Sequence, residues 1–169
     1  YYDFMQLSDS VAGFCIADVS GKGMSAALLM SNFQASLRAL FTADASLEEL
    51  VRKLNTLVVS NSAGERFITL FIARYNTETR VLEYVNAAHN PPVIINTHTG
   101  DSSLLRQSCV GVGMLDEIPC VRTERLTVTE PTKIICYTDG LSELKDEGGR
   151  DLGITPLVKH FPNLKPLAE

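Results

Sequence analysis

The sequence predicts an α+β fold with largely antiparallel sheets. Two strand-like segments open the chain, two amphipathic helices follow, and a series of further strand-like segments comes after them. Runs of like elements, rather than strict strand–helix alternation, mark α+β architectures. At 169 residues the chain fits one domain able to bury a substantial core. Its 45% apolar and 21% charged residues are ordinary for a globular protein, which excludes a disordered tail or a solenoid.

Tyr2 to Leu7 reads as the first strand, and Ser8-Asp9-Ser10 as a turn. Val11 to Ala17 is a nearly continuous apolar run, the pattern of a strand buried on both faces, and it ends at Asp18. Beyond Val19-Ser20-Gly21-Lys22-Gly23, apolar residues recur with helical spacing at Ala26, Leu29, Met30, Phe33, Leu37, Leu40 and Phe41. Ser46 with Glu49 three positions on forms a capping box, announcing a helix whose inner face is Leu47, Leu50, Val51, Leu54, Leu57 and Val58. Phe67–Tyr75 and Arg80–Ala87 flank the polar turn Asn76 to Thr79 as a hairpin. Val93-Ile94-Ile95 comes after two prolines, and Thr99-Gly100-Asp101 marks a turn. Glu124–Val128 and Lys133–Thr138 are the remaining strands, the latter ending at Asp139-Gly140. The tail from Ile154 to Phe161 is helical by pattern, and Pro162 and Pro166 bar the helix from continuing past it.

The net charge is −5 and the basic residues are scattered, so no nucleic-acid surface is expected. No apolar run approaches the roughly 20 residues that cross a bilayer. No signal-peptide pattern opens the chain. A cytoplasmic location is expected, although a longer parent could be membrane-anchored. Cys15, Cys109, Cys120 and Cys136 form no CxxC pair, and buried reduced thiols are expected.

Two strands each deliver an aspartate followed by a glycine-bearing turn. An ionised carboxylate at the end of a buried strand must reach water, cap a turn or meet a cation. Capping is the common outcome for a single Asp. Two of them, Asp18 and Asp139, at the ends of the most strand-like runs, point to a shared cation site. Carboxylate and carbonyl oxygens suit Mg²⁺ or Mn²⁺ better than zinc. Ser20-Gly21-Lys22-Gly23 fails as a phosphate-binding P-loop: Ile16 stands at the first glycine position and Gly23 where Ser or Thr must follow the lysine. Its glycines instead let the backbone turn tightly.

Tyr1-Tyr2-Asp3-Phe4, Ala17-Asp18-Val19-Ser20-Gly21-Lys22-Gly23, Phe67-Ile68-Thr69-Leu70, Tyr84 to Pro92 and Tyr137-Thr138-Asp139-Gly140-Leu141-Ser142-Glu143 occur in that order along nearly the whole chain. The ordered set resembles the SpoIIE/RsbU-like phosphatase domains, a branch of the type 2C (PPM) metal-dependent protein serine/threonine phosphatases. The resemblance implies one domain over residues 1–169, an α-β-β-α sandwich of two mainly antiparallel sheets flanked by helices. It implies that Asp18 bridges two Mn²⁺ or Mg²⁺ ions, that the Val19 carbonyl completes one shell, and that Asp139 holds one metal. A metal-activated water would then hydrolyse phosphoserine or phosphothreonine without a covalent intermediate.

By the same comparison the sequence looks truncated at both ends, lacking an acidic Gly-Gly-Asp element before Tyr1 and an Asp-Asp-x-Thr segment after the last strand. Weak or absent metal occupancy is therefore expected. Ser20 stands where eukaryotic relatives carry a proposed acid His, which leaves protonation of the leaving group to metal-bound water. Ala88 and Pro131-Thr132-Lys133 also depart from the branch without touching the proposed ligands. His89 is read as a structural hydrogen-bonding residue, and His98 and His160 as isolated surface residues. Asp3 and Glu143 are left as neighbours of the site without an assigned role, and Asp44, Asp101 and Asp116 as turn residues.

The implied partner is a phosphorylated STAS-type anti-anti-sigma protein, with an upstream sensor domain in the parent. The helices between Ser25 and Ser60, which come directly after the Asp18 loop, are the natural couplers and the surface a homodimer would use. The competing reading is a catalytically inactive phosphatase-fold module that binds a phosphoprotein or partner.

Overall fold

The computed structural model describes residues 1–106, 108–145, 148, 149, 151, 153 and 154. The chain divides into two compact units, Tyr1–His89 with Arg106–Val128, and Asn90–Leu105 with Thr129–Glu169. The element order is strands first, helices second, strands again, as the sequence predicts.

The first unit is a five-stranded antiparallel sheet with two helices on one face. Its strands are β1 (Tyr2–Gln6), β2 (Val11–Val19), β3 (Ile68–Asn76), β4 (Val81–Ala87) and β7 (Glu124–Thr127), hydrogen-bonded in the order β1-β2-β3-β4-β7. Because side chains alternate along a strand, one face of β2, β3 and β4 carries Cys15, Ala17, Ile68, Leu70, Ile72, Val85 and Ala87. These pack in one buried cluster with Leu29, Phe33 and Leu37 of α1 (Met24–Leu40) and Leu50, Val51, Leu54 and Val58 of α2 (Leu47–Ser62). The opposite face bears Phe14, Ile16, Phe71 and Tyr84, with Phe71 in tilted ring contact with both Phe14 and Tyr84 at centroid distances of 6.1 and 5.5 Å. Asp18 lies on that second face.

Helix α2 starts where the capping box places it. The Ser46 hydroxyl accepts from the Glu49 N–H at 3.4 Å, and Glu48 and Glu49 put negative charge in the first turn. At this long distance, Ser46→Ala is expected to cost about 0.5–1 kcal/mol, read as a shift of the urea midpoint. Of the predicted inner face only Leu57 is half-exposed. Asn55, which the apolar pattern passes over, is buried instead: 2% of it is exposed. Its side-chain NH₂ donates to the carbonyls of Leu115 and Asp116, both at 3.0 Å, and its Oδ1 accepts from the Gly113 N–H at 2.7 Å. Gly113 has φ +86°, and a Cβ there would stand 2.4 Å from Val58 Cγ1, so this tight approach of the loop to α2 requires glycine.

The second unit contains a three-stranded antiparallel sheet ordered β6-β5-β8, from β5 (Val93–Asn96), β6 (Ser102–Leu104) and β8 (Thr132–Ile135). Val93, Ile95, Ile135 and Tyr137 form its buried cluster, with Leu104, Leu141 and Ile154 against it. Strand β6 is absent from the sequence reading because Ser102-Ser103 lacks an apolar signature. It forms because the turn before it closes: Asn96 Oδ1 accepts from the His98 and Thr99 N–H groups at 2.8 and 3.1 Å.

Three further expectations are corrected. The strand expected over Lys133–Thr138 stops at Ile135, because its partner β5 offers only four residues, Val93 facing Ile135 and Asn96 facing Thr132. Cys120 is exposed rather than buried, while Cys15 and Cys109 are buried, and none of the four is in a disulfide. His98 is exposed but not isolated, with Nδ1 3.2 Å from the Glu130 carboxylate. His160 and nearly all of the expected tail helix from Ile154 to Phe161 lie outside the described residues. Among the described residues no helix is long and apolar enough to cross a membrane.

Candidate functional site

Asp18 is held inside a ladder rather than beyond one. Strand β2 runs on to Val19, and Asp18 faces Thr69 while Val19 faces Ile68 in the register with β3. The strand continues because its partner does: the Ser20 N–H donates to the Phe67 carbonyl at 2.9 Å, and the Phe67 N–H returns a bond to the Ser20 hydroxyl at 2.9 Å. On its other side, Ala17 exchanges two bonds with Tyr1: the Ala17 N–H reaches the Tyr1 carbonyl at 2.8 Å, and the Tyr1 backbone nitrogen donates to the Ala17 carbonyl at 2.9 Å. Asp18 and Val19, both half-buried, are thus the last residues of a strand that β3 pairs up to Val19, while the pairing on its other side ends at Ala17.

The loop after Val19 turns through Gly21 and Gly23, both with positive φ, into the start of α1. Arg66, from the connection between α2 and β3, lies against this loop. Its Nη1 donates to the Ser20 carbonyl and its Nη2 to the Ser25 hydroxyl, both at 2.9 Å. Gly21 leaves room for it: a Cβ at that position would stand 2.0 Å from Arg66 Nη1.

Thr69, facing Asp18 across the ladder, has its hydroxyl 2.9 Å from His89 Nδ1. His89 is buried, and its N–H donates to Asn86 Oδ1 at 2.9 Å. The structural hydrogen-bonding role read from the sequence for His89 fits this geometry. Directly facing residues of a strand pair have Cβ atoms about 5 Å apart, so Thr69 links a buried imidazole to the neighbourhood of the Asp18 carboxylate.

Asp139 belongs to the second unit and differs from its sequence-level description. It does not end a strand. Three residues separate it from β8, and it opens the short helix α3 (Asp139–Ser142), where its carbonyl accepts from the Glu143 N–H at 2.8 Å. It is exposed. Cys136, three positions before it, is a poor nucleophile, since burial pushes its thiol up to about 11.

Asp3, left without a role by the sequence, is committed to a structural pair. Arg38 of α1 donates to both its oxygens at 2.6 and 2.7 Å, and the Tyr1 hydroxyl donates at 2.7 Å. Hydrogen bonding by Arg38 holds the Asp3 carboxyl below the usual carboxylate range. A carboxylate so occupied is poorly placed to bind a cation as well.

The donors offered by Asp18 and Val19 are a carboxylate and a backbone carbonyl, hard oxygens of the kind Mg²⁺ and Mn²⁺ take. They fit such an ion in chemical type. Among the described residues no group of three or more His, Cys, Asp or Glu side chains is arranged to hold a metal. Arg66 and Thr69 escaped the sequence reading as site residues. Neither had a sequence signal of its own: the place of Thr69 opposite Asp18 is set by strand register, and Arg66 lies in a polar connection.

The profile of the family described as Stage II sporulation protein E (SpoIIE) matches residues 8–167. The phosphoserine phosphatase RsbU of Bacillus subtilis (strain 168) is 27% identical over 149 residues, covering 88% of this chain and 44% of that protein. The chain therefore spans less than half the length of that relative. A solved structure of the PP2C phosphatase domain and a regulatory-domain fragment of SpoIIE from Bacillus subtilis superposes with a TM-score of 0.82 at 14% identity, covering 98% of this chain and 47% of that one. RsbX, solved in complex with magnesium, gives 0.70 at 18% identity over 96% of this chain and 79% of its own. At these identities the structures establish the fold, α+β with two antiparallel sheets.

Proposed function

Because the chain belongs to the SpoIIE family, we propose that it carries the catalytic part of a metal-dependent protein serine/threonine phosphatase. Its substrate is phosphoserine or phosphothreonine on a regulatory protein of the STAS-type anti-anti-sigma class. The observation that carries this reading is the Asp18–Val19 corner: a half-buried carboxylate and the next backbone carbonyl at the end of a strand held there by β3. Asp18, Val19 and Asp139 are the residues assigned to hold Mn²⁺ or Mg²⁺. When bound, such ions supply a water acidic enough to ionise near neutral pH and positive charge for the phosphoryl oxygens.

The chain's own residues position and exclude. The β2–β3 ladder fixes where the Asp18 side chain leaves the strand, so its carboxylate would meet a cation without rearrangement of the backbone. The Ser20 hydroxyl, accepting from the Phe67 N–H, serves the backbone at the position where a His acid stands in other branches. Met24 and Leu28, one turn apart at the start of α1 and 77% and 60% exposed, give the surroundings of the loop an apolar surface for a protein substrate. An upstream sensor domain acting through α1 and α2 belongs to the same proposal.

The experiment is release of inorganic phosphate from a phosphoserine-bearing STAS-type protein by the chain, with Mn²⁺, with Mg²⁺ and with chelator. Metal-dependent release that chelator abolishes is expected. The competing reading is a catalytically inactive phosphatase-fold module that binds a phosphoprotein or partner. Tight binding of the phosphoprotein with no release at any metal concentration would select that module.

A further inference from the structure

We propose that Arg66 is a positioning residue for the loop that comes after Asp18, holding the backbone of the cation-binding corner in shape; this rests on the phosphatase reading above. A loop that carries two positive-φ glycines has little conformational preference of its own. Something outside it must select one shape. Here Phe67 fixes Ser20 through two bonds, its carbonyl accepting from the Ser20 N–H and its N–H donating to the Ser20 hydroxyl, and Arg66 extends the fixation to both ends of the turn, from the Ser20 carbonyl to the Ser25 hydroxyl.

The planar guanidinium suits this task because two of its N–H groups diverge in a rigid fork, and one side chain reaches from Ser20 to Ser25. The space it occupies is the space a side chain at Gly21 would need. Glycine and arginine at these two positions therefore form one device: the bare backbone admits the guanidinium, and the guanidinium holds the bare backbone. Arg66 is itself oriented from behind, since its carbonyl accepts from the Ser62 hydroxyl at the end of α2 at 3.2 Å. The residues so held come directly after Asp18 and Val19, so a relaxed loop would misdirect the Val19 carbonyl first. Groups that orient a metal's ligands, without touching the metal, act on its affinity in this way.

The test uses the full chain as wild type, Arg66→Ala, Arg66→Lys, Gly21→Ala and the Gly21→Ala/Arg66→Ala double variant. Three readouts are taken: amide hydrogen exchange, the Mn²⁺ concentration for half-saturation, and kcat and KM for a phosphoserine protein at saturating Mn²⁺. For Arg66→Ala, exchange at residues 20–25 rises while β3 and β4 keep their protection. Half-saturation moves to about tenfold or more higher Mn²⁺, with KM for the phosphoprotein little changed. Arg66→Lys restores part of the affinity, because one cationic donor replaces two. Gly21→Ala resembles Arg66→Ala, and the double variant is no worse than the worse single one, since both changes break the same contact. Unchanged exchange at residues 20–25, protection lost evenly across the sheet, or additive effects in the double variant would each overturn the proposal. If the wild type hydrolyses nothing, the phosphatase reading fails, and the exchange pattern still decides whether Arg66 holds the loop.

Discussion

Asp18→Asn is expected to lower metal-dependent hydrolysis by roughly a thousandfold, because several kcal/mol of charge stabilisation at the reacting phosphate converts to that factor. The substitution keeps the shape of the side chain and removes its charge. Asp18 is half-buried at the end of β2, so the ladder with Thr69 and the Val19–Ile68 pairing do not depend on the charge. The thermal midpoint should therefore stay close to that of the wild type while phosphate release is lost. Asp139→Asn is expected to fall in the same direction, with the loss partly recovered at high Mn²⁺, since this exposed carboxylate is assigned to one ion rather than a bridge. Phosphate-release assays across a metal titration check both. Full activity in Asp18→Asn would remove the basis of the proposed function.

The largest effect on stability is expected at Asn55. Asn55→Ala should cost about 3 kcal/mol, the upper end of the roughly 1–3 kcal/mol for a buried polar group left unpaired, because the Gly113 N–H is buried and two further carbonyl bonds are lost with it. The Gly113 N–H is the costliest of these, because it lies buried and its bond to Asn55 is the shortest of the three. Asn55→Asp is no remedy. It keeps the acceptor for Gly113 but sets a charge against the Leu115 and Asp116 carbonyls, which now lack a donor. Urea unfolding measures both variants, with an unchanged m-value separating lost stability from a changed unfolding transition. The consequence reaches the site: the loop held by Asn55 bridges to Ile68 through Val112, and Ile68 pairs with Val19. A loosened Asn55 anchor is therefore expected to weaken Mn²⁺ binding as well.

Where one physical rule dominates, the sequence was a good guide. The helical spacing from Ala26 to Phe41 and the Ser46 cap located both helices, because an apolar stripe and a free first-turn N–H each have few solutions. The long strands β2, β3 and β4 were legible for the same reason. The legibility failed where a partner decides. Strand β6 has no apolar signature and exists through pairing with β5, and β8 is shorter than its apolar run because β5 runs out. Asn55 broke no pattern, being one polar residue in an amphipathic helix. Only the loop folded against it shows that its amide is an anchor.

The same division holds for the candidate site. The sequence by itself determined the element order, the core faces of the helices, and Asp18 and Asp139 as carboxylates placed after apolar runs in ordered family motifs. Those are local properties, set by spacing and side-chain chemistry. Tertiary structure alone decided that Asp18 sits within a ladder and Asp139 on a short helix. It alone set Thr69 opposite Asp18, and filled the space above Gly21 with an arginine 45 positions along the chain. The reason is that register and close approach depend on which segments meet, and no single segment carries that information.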